Sequence, residues 1–212
     1  MTPGRFITIE GIEGAGKSTV ANALVAALLA RGHPAVLTRE PGGTPLAEQL
    51  RTLVLRRDAE RVSPEVETLL MFAARGLHLD NLIRPALSSG QWVVCDRFTD
   101  ATRAYQGAGR QVSAALIETL AAAVQGDLQP DLTLLLDLPA AAGLRRARSR
   151  NREPGGAGDD RIEAESLAFF ERVRAGYLRV AAQAPRRVRV LDATQPPPVV
   201  LHDAISALDA IK

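Results

Sequence analysis

Residues 11–18 read Gly-Ile-Glu-Gly-Ala-Gly-Lys-Ser, a G-x-x-x-x-G-K-[ST] segment, and no other part of the chain limits the fold as strongly. At the residue frequencies of this chain, such a string arises by chance in roughly one sequence in a thousand. Its flanks match the structural context it needs. Residues 5–10, Arg-Phe-Ile-Thr-Ile-Glu, have the β-branched and aromatic content of a short strand, and Val20, Leu24, Ala27 and Leu28 recur at helical spacing before a stop at Gly32. Strand, glycine loop and helix together make a cup of inward-facing N–H groups over the positive end of a helix, which holds anionic oxygens. The lysine is not a product of composition, because Lys17 and Lys212 are the only lysines among 26 basic residues. A compact ammonium at Lys17 bridges the β- and γ-phosphates of a nucleoside triphosphate, while the Ser18 hydroxyl takes a place on Mg²⁺. The expected phosphate-binding segment is therefore Gly11, Ile12, Glu13, Gly14, Ala15, Gly16, Lys17, Ser18 and Thr19.

Further strands are expected at Ala35–Thr38, Trp92–Cys95, Leu132–Leu136 and Val188–Leu191, the last three each followed by an aspartate: Asp96, Asp137 and Asp192. Helical patterns separate them. One covers about residues 45–57, and another begins at Ser63-Pro64, where a serine cap, a proline at the first helical position and Glu65 and Glu67 in the first turn all favour a start. Short apolar strands alternating with helices predict an α/β protein whose parallel sheet is covered on both faces, with ligands gathered at the carboxyl ends of the strands. No internal repeat or composition break divides residues 1–212, so one domain is expected.

Composition narrows the class. With 46% hydrophobic and 24% charged residues the chain reads as an ordinary globular protein, and a formal charge of +2 implies no general attraction to nucleic acid. No apolar run approaches the roughly 18 residues needed to span a bilayer, and the first strand follows Met1 almost directly, so a cytoplasmic protein without a membrane partner is expected. The single cysteine, Cys95, lies in an apolar run and reads as a buried core thiol. Arg145, Arg146, Arg148, Arg150, Arg152 and Arg161 cluster around a Pro-Gly-Gly-Ala-Gly stretch. Arg145, Arg148 and Arg152 share a helical face, and the glycines allow that segment to close over a bound nucleotide.

A guanine-reading Asn-Lys-x-Asp motif is excluded because no lysine lies between Lys17 and Lys212. A small kinase is then the natural reading. Arg39-Glu40-Pro41-Gly42-Gly43-Thr44, Phe72-Ala73-Ala74-Arg75, Asp96-Arg97, Ala104-Tyr105-Gln106-Gly107 and Asp160-Arg161-Ile162-Glu163 follow the phosphate loop in order, and with them nearly the whole chain resembles the bacterial thymidylate kinase family.

The resemblance implies a five-stranded parallel sheet of the nucleoside monophosphate kinase kind, usually as a homodimer, with a lid at about residues 145–161. It implies ATP and Mg²⁺ as co-substrate and metal, and dTMP as acceptor. By the same resemblance, Arg97 holds the acceptor phosphate, Asp96 with Ser18 organises the metal or its waters, Glu13 contributes from the loop, and lid arginines, Arg148 and Arg152 in particular, reach the γ-phosphate. The acceptor side would use Glu40, Arg51, Phe72 stacked on thymine, Arg75 on its carbonyl edge, Thr102, Tyr105 and Gln106. Two departures from the family pattern, Phe98 and Ala101, imply rearranged polar contacts, with Thr102 as a substitute. A phosphate monoester acceptor is already anionic near neutral pH, so no catalytic histidine is expected, and His33, His78 and His202 read as surface or helix residues. A kinase for another nucleoside monophosphate would share the loop and lid and differ around Phe72 and Arg75.

Overall fold

The computed structural model describes residues 4–56, 60–151 and 161–211. In chain order these form β1 (Phe6–Glu10), α1 (Lys17–Ala30), β2 (Ala35–Arg39), α2 (Pro45–Leu55), α3 (Pro64–His78), a π-helical turn (Leu79–Ile83), α4 (Arg84–Ser88) and β3 (Trp92–Asp96). There follow α5 (Thr99–Thr102), a second π-helical segment (Arg103–Gly109), α6 (Ala114–Gln125), β4 (Leu132–Asp137), α7 (Ala140–Asn151), α8 (Leu167–Gln183), β5 (Val188–Asp192), α9 (Pro197–Ala207) and a 3₁₀ turn (Leu208–Ala210).

The five strands form one parallel sheet in the order β2-β3-β1-β4-β5. β1 is central and buried at every position, with Ile7 and Ile9 on one face and Phe6 and the buried polar Thr8 and Glu10 on the other. Ile7 and Ile9 join the larger core cluster with Val20, Leu24 and Leu28 of α1, whereas Phe6, pointing the other way, packs with Leu79, Ile83, Val93 and Phe98. Burying a side chain such as Leu24 contributes about 2 kcal/mol. Each of β2 to β5 runs one residue further than its apolar run, so Arg39, Asp96, Asp137 and Asp192 still pair in register before the chain turns away. The charged residue thus leaves the sheet aimed at its carboxyl edge. Ser63, as expected, caps α3 by accepting from the Val66 N–H at 3.3 Å.

The two π-helical segments have no counterpart in the sequence reading, because their wider hydrogen-bond spacing leaves no hydrophobic period of its own. Of the expected lid, residues 145–151 are the end of α7, and residues 152–160, Arg152 included, lie outside the described residues.

Candidate functional site

The phosphate loop leaves β1 at Gly11 and enters α1 at Lys17. Gly14 and Gly16 have φ of 73° and 93°, left-handed values that suit glycine, and a Cβ on Gly14 would lie 2.2 Å from the Gly143 carbonyl oxygen. The start of α7, at the root of the expected lid, therefore packs directly on the loop. Ile12 and Ala15 turn their side chains into the core. Their part in the cup is backbone, as is that of Gly11, whose carbonyl accepts from Arg97 Nη1 at 2.9 Å.

Lys17 is 9% exposed and its Nζ donates to the Ile12 carbonyl at 3.0 Å. Burial, and next the neighbouring Arg97 charge, lower its pKa to about 8. An ammonium so placed gains strongly from an anionic ligand. Beside it, Ser18 Oγ donates to Asp96 Oδ2 at 3.3 Å, while Asp96 Oδ1 is buried with no hydrogen-bond partner. The Ser18 hydroxyl and the Asp96 carboxylate, with its unpartnered Oδ1, are hard donors that fit Mg²⁺, which would take its remaining ligands from water and phosphate. Among the described residues no three His, Cys, Asp or Glu side chains gather into a site that could hold a metal ion by themselves.

Arg97 stands at the end of β3 with φ of 76°, a conformation costing about 1–3 kcal/mol for a residue with a Cβ. Its surroundings over-determine that position. The Arg97 N–H donates to the Ile9 carbonyl at 3.0 Å and the Cys95 thiol donates to the Arg97 carbonyl at 3.0 Å. Nη2 donates to Glu13 Oε1 at 2.8 Å and to the Tyr105 hydroxyl at 3.0 Å, and Nη1 to the Tyr177 hydroxyl at 3.0 Å. Tyr105 in turn donates to Glu13 Oε2 at 2.7 Å and Tyr177 to Glu10 Oε2 at 2.8 Å. Burial, then the Asp100 charge, raises Glu10 to about 8. The guanidinium is therefore held in place before any ligand arrives.

A cleft of about 430 Å³ joins the loop to a second wall. Glu13, Lys17, Ser18, Thr19, Asp96 and Arg97 line it together with Glu40, Arg51, Arg75, Thr102, Tyr105 and Gln106, Tyr105 reaching Glu13 and Arg97 through its hydroxyl. Arg75 is 3% exposed and clamped: Nε donates to Glu40 Oε2 at 2.7 Å and Nη2 to Thr102 Oγ1 at 3.0 Å, leaving buried Nη1 with no partner. Arg51 Nη1 donates to the Pro41 carbonyl at 2.9 Å.

Two of the expected site residues stand outside the cleft wall. Phe72 does not reach the cleft: it is 2% exposed and packs with Val112, Ile117 and Ala121 while backing the Arg75 guanidinium at 4.8 Å. Met71, one turn before Arg75 at the i, i+4 position, lines the cleft instead, so the helix phase places a thioether where an aromatic ring was expected. In the lid, Arg148 is exposed and outside the cleft wall, whereas Arg150 lines it and pairs with Glu163 at 3.0 Å. Phe98 and Ala101 line the cleft and Thr102 bonds Arg75, so the polar contacts there run through Thr102.

Two supporting residues carried no sequence signal of their role. His78 is fully buried, its Nε2 2.6 Å from Thr38 Oγ1 and its Nδ1 3.1 Å from Glu40 Oε1, so it steadies the carboxylate that holds Arg75. Glu67 read only as a helix-start acid, yet it is 1% exposed beneath Gln106.

A parallel α/β sheet with a lysine-bearing phosphate loop, an arginine held opposite it and one cleft joining both defines a phosphotransferase of the nucleoside monophosphate kinase class. The chain belongs to the thymidylate kinase family, whose family model matches residues 9–205. It is 52% identical over 211 residues to a thymidylate kinase of Methylococcus capsulatus, covering all of this chain and 98% of that protein. It is 54% identical over 208 residues to one from Alkalilimnicola ehrlichii, covering 98% and 94%. The crystal structure of thymidylate kinase from Ehrlichia chaffeensis has a similar fold, with a TM-score of 0.75 at 33% identity, covering 97% of this chain and 99% of that one.

Proposed function

We propose that this protein transfers the γ-phosphoryl group of ATP to dTMP, giving dTDP and ADP. The observation that carries this reading is one cleft lined by Lys17 and Ser18, by the loop-bound Arg97 and by the clamped Arg75. The loop amides and Lys17 hold the donor phosphates, and Arg97 receives the acceptor phosphate. A phosphate monoester with its second pKa near 6 is mostly dianionic at neutral pH, so the residues need only align two anions and offset their charge. Arg150 and Glu163 put a further guanidinium at the lid side of the cleft, the role expected of the lid arginines. Ser18 and Asp96 would hold Mg²⁺, which when bound neutralises charge between the β- and γ-phosphates.

Residues 1–212 act as one cytoplasmic domain and pair as a homodimer in this reading. Leu46 and Leu53 of α2 and Val66 and Leu69 of α3 are each about half exposed, an apolar surface suited to a second copy. Among the described residues no helix is long and apolar enough to cross a membrane.

The deciding experiment is ADP release from ATP and Mg²⁺ across a panel of nucleoside monophosphates. Turnover with dTMP should exceed that with any other acceptor. Equal turnover with dCMP or dGMP overturns the assignment.

A further inference from the structure

Buried carboxylates need a reason, and Glu67 in the first turn of α3 has three donors from three places in the chain. Gln106 Nε2 donates to its Oε1 at 2.7 Å, Arg161 Nη2 to its Oε2 at 2.7 Å, and Arg110 Nε lies 3.3 Å from Oε2. Arg161 is itself fixed by donating to the Leu55 and Val54 carbonyls, at 3.0 Å each. The carboxylate is thus locked from below by two guanidinium groups, and it accepts hydrogen bonds without donating any.

That chemistry dictates the orientation of Gln106. The two ends of a side-chain amide are nearly identical in shape and differ in what they can bond. With Glu67 accepting, the NH₂ end must face the carboxylate, and the carbonyl end is left for the cleft, which Gln106 lines. Two residues lining the same cleft thus have groups of opposite sense to spare: a donor at Arg75 Nη1, buried without a partner, and an acceptor at Gln106 Oε1, whose NH₂ end Glu67 occupies. A base edge carrying a carbonyl beside a ring N–H, as thymine does, matches such a pair. Cytosine carries an amino group beside a ring lone pair, the reverse order. With the acceptor phosphate held at Arg97, the base cannot slide to restore the match.

We infer that Glu67 is a positioning residue that fixes the carbonyl end of Gln106 toward the acceptor base, and so sets the preference for an imide over an amino-pyrimidine edge. The inference rests on the dTMP reading above and assigns part of its specificity to a residue that never touches the substrate. In the Glu67→Gln variant the neighbour both donates and accepts, the Gln106 amide is free to turn over, and the wall no longer distinguishes the two edges through it.

The test compares kcat/KM for dTMP and dCMP in wild type, Glu67→Gln, Gln106→Leu and the double variant. Glu67→Gln should lower the dTMP:dCMP ratio by about tenfold or more, chiefly through KM for dTMP. The double variant should show no lower ratio than Gln106→Leu alone, because the two residues act through one contact. A Glu67→Gln enzyme that loses activity equally toward both acceptors has only a structural role at that position, and the inference fails. If that variant does not fold, an unchanged ratio in Gln106→Leu overturns the inference independently. A wild type with no preference for dTMP overturns the functional reading itself, which separates the two failures.

Discussion

Arg97 and Glu13 meet at 2.8 Å with side chains 17% and 12% exposed, so the phosphate loop itself supplies the carboxylate that aims the arginine proposed to receive the acceptor phosphate. Loop and guanidinium are thereby tied into one unit. Replacing Glu13 by Gln keeps the shape but removes the charge-assisted bond, and Arg97 should then spread over several orientations. The expected outcome is a kcat lower by about tenfold with ATP affinity changed less than about threefold. Unchanged turnover would show that Tyr105 and Tyr177 suffice to hold the guanidinium.

Lys17 makes nucleotide affinity depend on pH. Burial lowers it to about 8 in the absence of ligand, and only the ammonium form pairs with phosphate. The Kd for ATP, measured by titration calorimetry between pH 7 and 9.5, should be nearly flat below pH 8 and rise toward tenfold per unit above it. Lys17→Met should lose that rise and lower kcat by roughly 100-fold or more. A wild-type Kd independent of pH across this range contradicts the placement of the charge.

Glu10 makes stability depend on pH with the opposite sense from an ordinary surface carboxylate. Its pKa rises from 4.5 to about 8 in the folded state, so the native protein keeps a proton that the unfolded chain releases. Stability should therefore fall as pH rises from about 4.5 to about 8. Glu10→Gln is exempt from this loss. The Tm difference between variant and wild type should move in favour of the variant by several degrees between pH 5 and pH 9. A constant difference would mean that Glu10 titrates alike folded and unfolded.

Asp96 should set the metal requirement. Asp96→Asn removes the anionic oxygen beside Ser18 while preserving the hydrogen bond between them, so the Mg²⁺ concentration for half-maximal rate should rise about tenfold or more. Calorimetry of ATP without metal should change little. Equal Mg²⁺ requirements in both proteins would place the metal elsewhere.

The sequence made the scaffold legible because its physics is local. A glycine loop between a β-branched strand and a helix, apolar runs closed by aspartates, and a serine-proline helix start each need only a few neighbouring residues. What stayed hidden depends on helix phase and on distant partners. Phe72 and Met71 are adjacent, and only the packing of α3 against Val112 and against Ile117 and Ala121 of α6 decides which one turns toward the cleft. Arg148 and Arg150 differ in the same way, their roles set by how α7 seats on the loop at Gly143. His78, Glu67 and Glu10 take their meaning from Glu40, Gln106 and Tyr177, which lie 38 or more positions away in sequence and meet them only through the fold.

The lone thiol has a practical corollary. Cys95 is fully buried, spends its proton on the Arg97 carbonyl, and is pushed by burial well above an ordinary thiol pKa, so electrophilic dyes should pass it by. An enzyme with a blank labelling background needs no cysteine-free parent. A Ser149→Cys substitution on the outer side of α7 would take a single fluorophore, giving a direct optical record of whether that arm swings when nucleotide arrives.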